Sequence, residues 1–303
     1  MAGSLPGISV VVLSYNRPGH LAQALASVRA QTIRPDEVIV VDNHSPASEE
    51  IARVVQGFPD FTFVAHGANR GFAAGMNSGL SRATQPWVYL TEDDVVLAPD
   101  AIERLLSYAA HQPGAGLASG LMVDAASDRI LSAGGAVRLD GVYRMTVTGR
   151  GEPAAGRFAQ PFDTEYVPGA MILASREVWR ALGGFREDFF AYGEDSDLSL
   201  RAARAGYRIT VVPAARVRHL PAGGGGGGPS AVVEYHKLKN FFALYLLHAR
   251  IAVWPEFLIR YVVLGAFRTP GAVFWRALAW NFRNLGRLLR DRGRTRPSTA
   301  TVA

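Results

Sequence analysis

Three consecutive carboxylates, Glu92, Asp93 and Asp94, follow the apolar run Trp87 to Leu90. Along an extended chain alternate side chains share a face, so Glu92 and Asp94 point the same way and could hold a hard cation between them. Mg²⁺ takes one or two protein carboxylates and completes its shell with water and phosphate oxygens, so a strand-end acidic pair suits a metal–diphosphate complex. An exposed acidic turn leading into a helix would use the same residues. A second acidic group, Glu194-Asp195-Ser196-Asp197, opens a helical pattern that reaches Arg201. Acids in a first turn complement the helix dipole, and Asp197 with Arg201 makes an i,i+4 pair. Three carboxylates in four positions exceed what capping needs. A crowded or buried member has a raised pKa and can accept a proton from a hydroxyl, which makes Asp195 or Glu194 a candidate general base. His219 follows Arg216-Val217-Arg218 at the end of another strand pattern, either as a ligand at the lip of a crevice or as an ordinary hydrogen-bonded histidine.

These groups need elements that bring them together. Ile8 to Leu13, Glu37 to Val41, Phe61 to Val64 and Trp87 to Leu90 are short β-branched or aromatic runs that read as strands. Between them lie helical patterns: Leu21, Leu25 and Val28 after Pro18-Gly19, then Ile51 to Val55, then Phe72 to Ala83. Strand and helix in alternation predict a parallel sheet with helices on both faces and a ligand crevice outside the carboxyl ends of the strands. A helix near Asp100 to Ala110 follows, and Gly134 to Gln160 predicts loops and hairpins over the crevice. Regularity returns with Tyr166 to Ala174, helices at Arg176 to Leu182 and near Ser196 to Ala205, and a strand at Arg208 to Val212. The fold class expected is α/β, a mostly parallel central sheet with a C-terminal helical tail. Six glycines, Gly223 to Gly228, lie between Pro221 and Pro229 and mark a boundary: a domain over 1–222, a flexible linker or loop over 223–230, and a tail over 231–303.

The chain has 303 residues and no cysteine, which excludes disulfides, thiolate metal sites and thiol nucleophiles. Its net charge of +6 is unevenly spread: residues 1–230 carry 20 Arg, no Lys and 23 acids, whereas residues 231–303 carry 12 basic and 3 acidic side chains. A basic tail on an acidic body suggests an anionic partner for the tail. Phe274, Leu278, Phe282, Leu285 and Leu289 recur at helical spacing with Arg276, Arg283, Arg287 and Arg290 between them. Such a basic amphipathic helix lies in an anionic membrane interface, or packs on a core with a solvated arginine face. Nucleic acid is not the expected partner, because the basic residues alternate with large apolar ones. Met1 to Gly7 lacks the pattern of a secretion signal, and the apolar runs Phe241 to Leu247 and Tyr261 to Phe267 are too short to span a bilayer. The expected location is cytoplasmic, peripheral on the inner face of the cytoplasmic membrane.

Seven stretches in order resemble the inverting nucleotide-sugar glycosyltransferases of family 2, with the GT-A fold, especially their rhamnosyl- and galactofuranosyltransferase-like branch. They are Val11 to Arg17, Val40 to Ser45, Asn69 to Asn77, Glu92-Asp93-Asp94, Val167 to Ala170, Gly183-Gly184-Phe185 and Glu194 to Leu198. The resemblance implies that Asp42 accepts from a pyrimidine ring and that Tyr15, Asn16, Arg17, Asn69, Arg70, Asn77 and Asp93 line the donor nucleotide. It implies a divalent metal, Mg²⁺ or Mn²⁺, held on the diphosphate by Asp94, with Glu92 and His219 beside it. Asp195 takes the role of general base, and Gly169 and Glu194 belong to the acceptor region. The implied reaction is a single inverting displacement from a nucleoside diphosphate sugar, UDP- or dTDP-linked, with rhamnose the first choice. The acceptor is a hydroxyl of a glycan, glycolipid or lipid-linked precursor. Gln-x-x-Arg-Trp, the mark of processive relatives, is absent, which favours addition of one sugar. Three other classes compete. A sugar nucleotidyltransferase would carry an N-terminal glycine- and lysine-bearing phosphate loop, but no lysine precedes Lys237. A glycosidase needs two carboxylates flanking a sugar and no nucleotide-type sheet. A catalytically silent nucleotide-sugar or membrane-surface module would have no use for both acidic clusters. Oligomeric state is left open.

Overall fold

The computed structural model of the protein describes residues 5–140, 143–221, 230–268 and 271–294. Strands and helices alternate as expected through β1 (Ile8–Ser14), α1 (Pro18–Arg29), β2 (Glu37–Asp42), α2 (Ser48–Gln56), β3 (Thr62–Ala65), α3 (Gly71–Leu80) and β4 (Trp87–Glu92). All seven residues of β1 are buried, as a strand covered by helices on both faces requires. β3 starts one residue later than the apolar pattern predicts, because Phe61 turns aside to stack on Phe58. The second half comprises β5 (Val95–Leu97), α4 (Ala101–Ala109), β6 (Ala115–Asp124), β7 (Ile130–Ser132), β8 (Gly135–Leu139), β9 (Tyr143–Val147), β10 (Phe162–Asp163), β11 (Met171–Ser175), α5 (Arg176–Leu182), α6 (Glu194–Arg204) and β12 (Arg208–His219).

The main sheet runs β10-β12-β6-β11-β4-β1-β2-β3, with β5 and β7 pairing at its margin, and β8 and β9 form a separate hairpin. β3, β2, β1 and β4 are mutually parallel, and the chain leaves β1 in one direction for β2 and β3 and returns on its other side as β4. That reversal opens the ligand crevice of doubly wound sheets. Register then sets the site: Leu13 pairs with Glu92 and Ser14 with Asp42, so three strand ends come level. β11 is antiparallel to β4, with Met171 opposite Thr91, and therefore begins where β4 ends.

β12 extends seven residues past the predicted end at Val212. Its pairing with β6 slips between Val211 and Arg216 and then resumes to His219. The slip presses the Ala215 carbonyl against Gly120, where a Cβ would meet that oxygen at 2.0 Å. Only glycine tolerates this approach, and the bulge carries the strand on to the crevice.

Two apolar layers sandwich the sheet, one built on Leu21, Leu25, Ile102 and Leu105, the other on Met76, Trp179, Phe185 and Leu198. The glycine run expected as a linker lies outside the described residues, apart from Ser230, whose side chain caps α7 (Ala231–His248). α7 packs Ala243, Leu244 and Leu247 onto Phe189, and an aromatic cluster of Phe242, Tyr245, Phe257 and Phe274 joins it to the rest of the tail. The single amphipathic stripe expected over Phe274 to Leu289 is not formed. Asn284 leaves helical geometry and divides the segment into Ala272–Arg283 and Leu285–Asp291, which shifts the phase. The stripe already drifts within Ala272–Arg283, where Phe274 is buried while Phe282, eight residues on, is 78% exposed.

Candidate active site

β1 ends in Ser14, and the chain then turns through Tyr15 and Asn16, the latter at φ 58°, to Arg17, the N-cap of α1. This turn wraps the acidic end of β4. Asp93 is fully buried; its Oδ2 accepts from the Ser14 hydroxyl at 2.8 Å and the Tyr15 amide at 2.9 Å. The Arg17 guanidinium pairs with Asp93 Oδ1 at 2.6 Å and also with Asp94. Burial pushes the Asp93 pKa up, against the pull of Arg17 and of the two hydrogen bonds. The bulge in β12 delivers His219 to the same place: its Nε2 lies 3.6 Å from Asp94 Oδ2, and the Leu220 amide donates to the Asp94 carbonyl.

The expected donor-lining residues divide into two sets. Tyr15 is more than a third exposed at the crevice mouth, and the Asn16 amide donates to Ser45 Oγ at 2.7 Å. Asp42 turns into its own loop, where its carboxylate accepts from the Ser45 amide, the Ser45 hydroxyl and the Ser48 hydroxyl. Asn69 accepts from the Gly71 amide and from Asn43, and Asn43 in turn accepts from the Arg70 amide. Asn77 bonds the backbone of Phe185 in both directions and also reaches Glu187. Arg70 pairs with Glu187 at 3.5 Å. Arg70, Asn77 and Glu187 face a cleft of about 620 Å³ between α3 and α5, and none of Glu92, Asp94, Asp195 and His219 lines it. The structure thus gathers Tyr15, Arg17 and the β4 carboxylates at the crevice and sets Arg70 and Asn77 to one side.

α6 brings the second acidic group to the opposite wall. Its N-cap is Gly193 at φ 88°, and three acids fill its first turn. Asp195 Oδ2 accepts from the Tyr166 hydroxyl at 2.6 Å and Oδ1 from the Ser196 amide at 2.7 Å. The Gly169 backbone also donates to this carboxylate. Gly169 is packed tightly enough that a Cβ would stand 2.9 Å from Phe72 and 3.6 Å from the Asp195 Cβ. Burial nonetheless raises the Asp195 pKa. Glu194 is 7% exposed, with Oε2 buried and unpaired, and burial together with the charge of Asp195 lifts its pKa well above the usual range. Glu92, at the end of β4, is pushed up to about 8 by burial and by Asp94, with further contributions from Asp93 and Asp195. Carboxylates from two distant segments therefore sense one another across the crevice. Asp197 differs: buried beside Arg201 at 2.7 Å and His248 at 2.8 Å, it is held below the ordinary carboxylate range.

Tyr166 was not singled out in the sequence. Its signal is its position directly before Val167-Pro168-Gly169, together with the rule that a buried tyrosine hydroxyl finds a partner. Asn43, Ser45 and Ser14, which shape the loops, carry no mark beyond being polar residues at strand ends.

A divalent ion on a diphosphate suits the donors at the β4 end. Asp94 Oδ1 is buried and unpaired, a carboxylate oxygen of the kind Mg²⁺ or Mn²⁺ takes, and His219 Nε2 faces the other oxygen, an imidazole that suits the softer Mn²⁺ better than the all-oxygen shell of Mg²⁺. Among the described residues, no three His, Cys, Asp or Glu side chains converge as one metal cluster, so Glu92 does not complete a three-ligand set with Asp94 and His219. Two protein ligands match an ion whose remaining positions belong to water and phosphate oxygens.

A profile described as glycosyltransferase-like family 2 matches residues 6–239. An N-acetylglucosaminyl-diphospho-decaprenol L-rhamnosyltransferase of Mycobacterium tuberculosis is 28% identical over 86% of this chain and 90% of its own length. A galactofuranosyltransferase of the same organism is 36% identical over 29% of this chain and 30% of its own. Among solved structures, GalNAc-T7 with UDP, GalNAc and Mn²⁺ superposes with a TM-score of 0.63 at 16% identity, over 80% of this chain and 48% of that one. A mannosyltransferase from Pyrobaculum calidifontis with GDP-Man and Mn²⁺ gives a TM-score of 0.55 at 20% identity, over 95% of this chain and 73% of that one. The match spans the sheet, both acidic clusters and the start of α7, and the chain belongs to glycosyltransferase family 2, as an enzyme of GT-A architecture.

Proposed function

We propose that the protein transfers one sugar, with inversion, from a dTDP- or UDP-linked donor to a hydroxyl of a lipid-linked or glycan acceptor, with rhamnose the first sugar to test. The observation that carries the reading is the Asp195 carboxylate: half-buried, raised in pKa, held by Tyr166, and facing an acidic strand end that suits a metal–diphosphate. Asp195 takes the acceptor hydroxyl proton as that oxygen bonds to the anomeric carbon. The carbon–oxygen bond to the diphosphate breaks on the opposite side, and the electron pair leaves with the diphosphate. A Mg²⁺ or Mn²⁺ held by Asp94 and His219 would neutralise charge on that leaving group. Arg17 pairs with Asp93 and Asp94 and orients them, and Tyr166 fixes which Asp195 oxygen faces the acceptor.

The rhamnosyltransferase relative, named for a decaprenol-linked substrate, supports a lipid-linked acceptor. So does the tail, where Ile251, Leu258, Ile259 and Val263 are about half exposed or more beside Arg250 and Arg260. Apolar side chains with flanking arginines suit an anionic bilayer interface. Among the described residues no helix is long and apolar enough to cross a membrane. Flotation with anionic vesicles at low salt tests this part, and protein that stays at the bottom of the gradient excludes it.

Calorimetry with UDP, dTDP, GDP and CMP, each with and without Mn²⁺, tests the donor site on wild type and Asp94→Ala. Binding of one pyrimidine diphosphate that strengthens with metal, and loses that gain in the variant, is the expected result. Folded protein that binds none of the four nucleotides overturns the reading.

A further inference from the structure

Immediately before the proposed base, the backbone is strained. Phe190 lies at φ 67°, ψ −68°, with the Ala191 amide donating to the Phe189 carbonyl at 2.8 Å. That is a γ-turn of the rare, strained hand. Tyr192 follows at φ 71° and Gly193 at φ 88°, so two non-glycine residues occupy the left-handed half of the map within five residues of Asp195. Each is unfavourable for a side chain with a Cβ and persists only where its surroundings impose it.

The surroundings come from the tail. The Asn240 side chain is 1% exposed, and its Nδ2 donates to the carbonyls of Phe189 at 2.9 Å, Ala191 at 2.8 Å and Tyr192 at 2.6 Å. Two N–H bonds are thus shared among three carbonyls of one strained turn. Lys239 Nζ donates to the Asp188 carbonyl and reaches that of Phe189 at 3.4 Å. His236 stacks on Phe190 with ring centres 4.6 Å apart. Arg186, just upstream, pairs with Asp188 and, at 3.2 Å, with Asp291 near the end of the described chain. On its other side the turn touches the donor half: the Ala73 amide donates to the Phe190 carbonyl at 3.1 Å, and a Cβ on Gly71 would meet that carbonyl oxygen at 2.5 Å.

We infer that Asn240 is a positioning residue for the reaction: from the tail helix it holds the strained 189–193 turn that aims Asp195 into the crevice. This rests on the reading of Asp195 as the base. It makes the tail a working part of the site, in addition to any contact with a membrane. Replacing the amide leaves the turn free to relax toward ordinary φ values, and α6 then starts from a different point. A misplacement of about 1 Å at a reacting group costs on the order of a hundredfold in rate.

Asn240→Ala, and Asn240→Ser as the milder change that keeps one donor, test this against wild type and Asp195→Asn. Turnover is followed with dTDP-rhamnose and a polyprenyl-diphospho-N-acetylglucosamine acceptor. The expected result is a kcat lowered roughly tenfold in the Ser variant and roughly a hundredfold in the Ala variant. The Kd for dTDP with Mn²⁺ stays within about twofold, because donor contacts lie elsewhere. Amide exchange speeds up across residues 189–195 and not in β1 to β4. Adding Tyr192→Gly to Asn240→Ala returns part of the lost kcat, since glycine adopts φ near 70° without penalty; a residue that merely supports the tail gives no such rescue. Unchanged exchange at 189–195 in a folded variant overturns the inference, as does unchanged kcat in a variant whose exchange does rise. If Asp195→Asn keeps its turnover, the base assignment falls instead, and the exchange data still decide whether Asn240 holds the turn.

Discussion

The two acidic clusters are alike in sequence and differ in which of their carboxylates meets a cation. Glu92-Asp93-Asp94 has a cation built in: Arg17 spans both aspartates, and Asp93 also accepts two hydrogen bonds from the β1 turn. In Glu194-Asp195-Ser196-Asp197 the Arg201 guanidinium and the His248 imidazole, whose pKa burial lowers, attend Asp197. Among the described residues Asp195 receives only neutral donors, and one Glu194 oxygen receives none. A carboxylate paired with a guanidinium suits electrostatic binding, and one left to burial and like charge suits proton transfer. The difference arises from placement. Asp197 faces back along α6 toward Arg201 one turn on, whereas Asp195 points into the crevice, where no arginine among the described residues pairs with it.

The sharpest way to break this contrast is to remove the proton acceptor alone. Asp195→Asn keeps the shape and the Tyr166 partner, and turnover should fall by on the order of 10²–10⁴ while nucleotide affinity stays level. Retention of more than a tenth of wild-type kcat would place the base elsewhere. The next effect falls on stability. Arg17→Met strips the cation from a cluster whose Asp93 is fully buried, and a buried charge that loses its partner costs about 3–5 kcal/mol. Denaturant unfolding should show a loss of that order, with metal-dependent dTDP binding weakened as well. A variant as stable as wild type would mean that hydrogen bonds from Ser14 and Tyr15 suffice, and the contrast between the clusters would lose its basis.

Much of the donor half is legible in the sequence because its elements are local. Continuous apolar runs make β1, β2 and β4, Pro18 starts α1, and the strand ends necessarily bear the residues that follow them. Both acidic clusters, and the contrast between capping and chemistry within the second, follow from residue types and spacing. What sequence spacing does not carry is pairing at long range. His219 reaches Asp94 only because β12 bulges at Ala215 and continues, and Pro213 gives the opposite hint, that the strand stops. Tyr166 and Asn240 act through side-chain hydrogen bonds spanning 29 and about 50 residues, which no periodicity encodes. The tail stripe fails for two local reasons: steps of four drift around a helix of 3.6 residues per turn, so Phe282 leaves the buried face of Phe274 within one helix, and Asn284 then breaks the helix before Leu285 and Leu289.

The smallest effect isolates the strain stored in the second cluster. Glu194 has a folded-state pKa above its ordinary value of 4.5, raised first by burial and then by Asp195. The folded protein therefore binds this proton more tightly than the unfolded chain does, and stability falls as pH rises from about 4.5 through the folded pKa, by at most about 1.4 kcal/mol per unit of pKa difference. Glu194→Gln has no proton to lose, so the variant should gain stability over wild type at pH 8 and little at pH 5. Paired thermal melts at the two pH values measure it. Asp197 supplies the internal contrast: its pKa is depressed, so its contribution is present above about pH 4 and is lost only on acidification, leaving the interval from pH 5 to 8 to the other carboxylates. Equal gains for Glu194→Gln at both pH values would show that the carboxylate is already charged at pH 5, and the two clusters would then differ in partners but not in protonation.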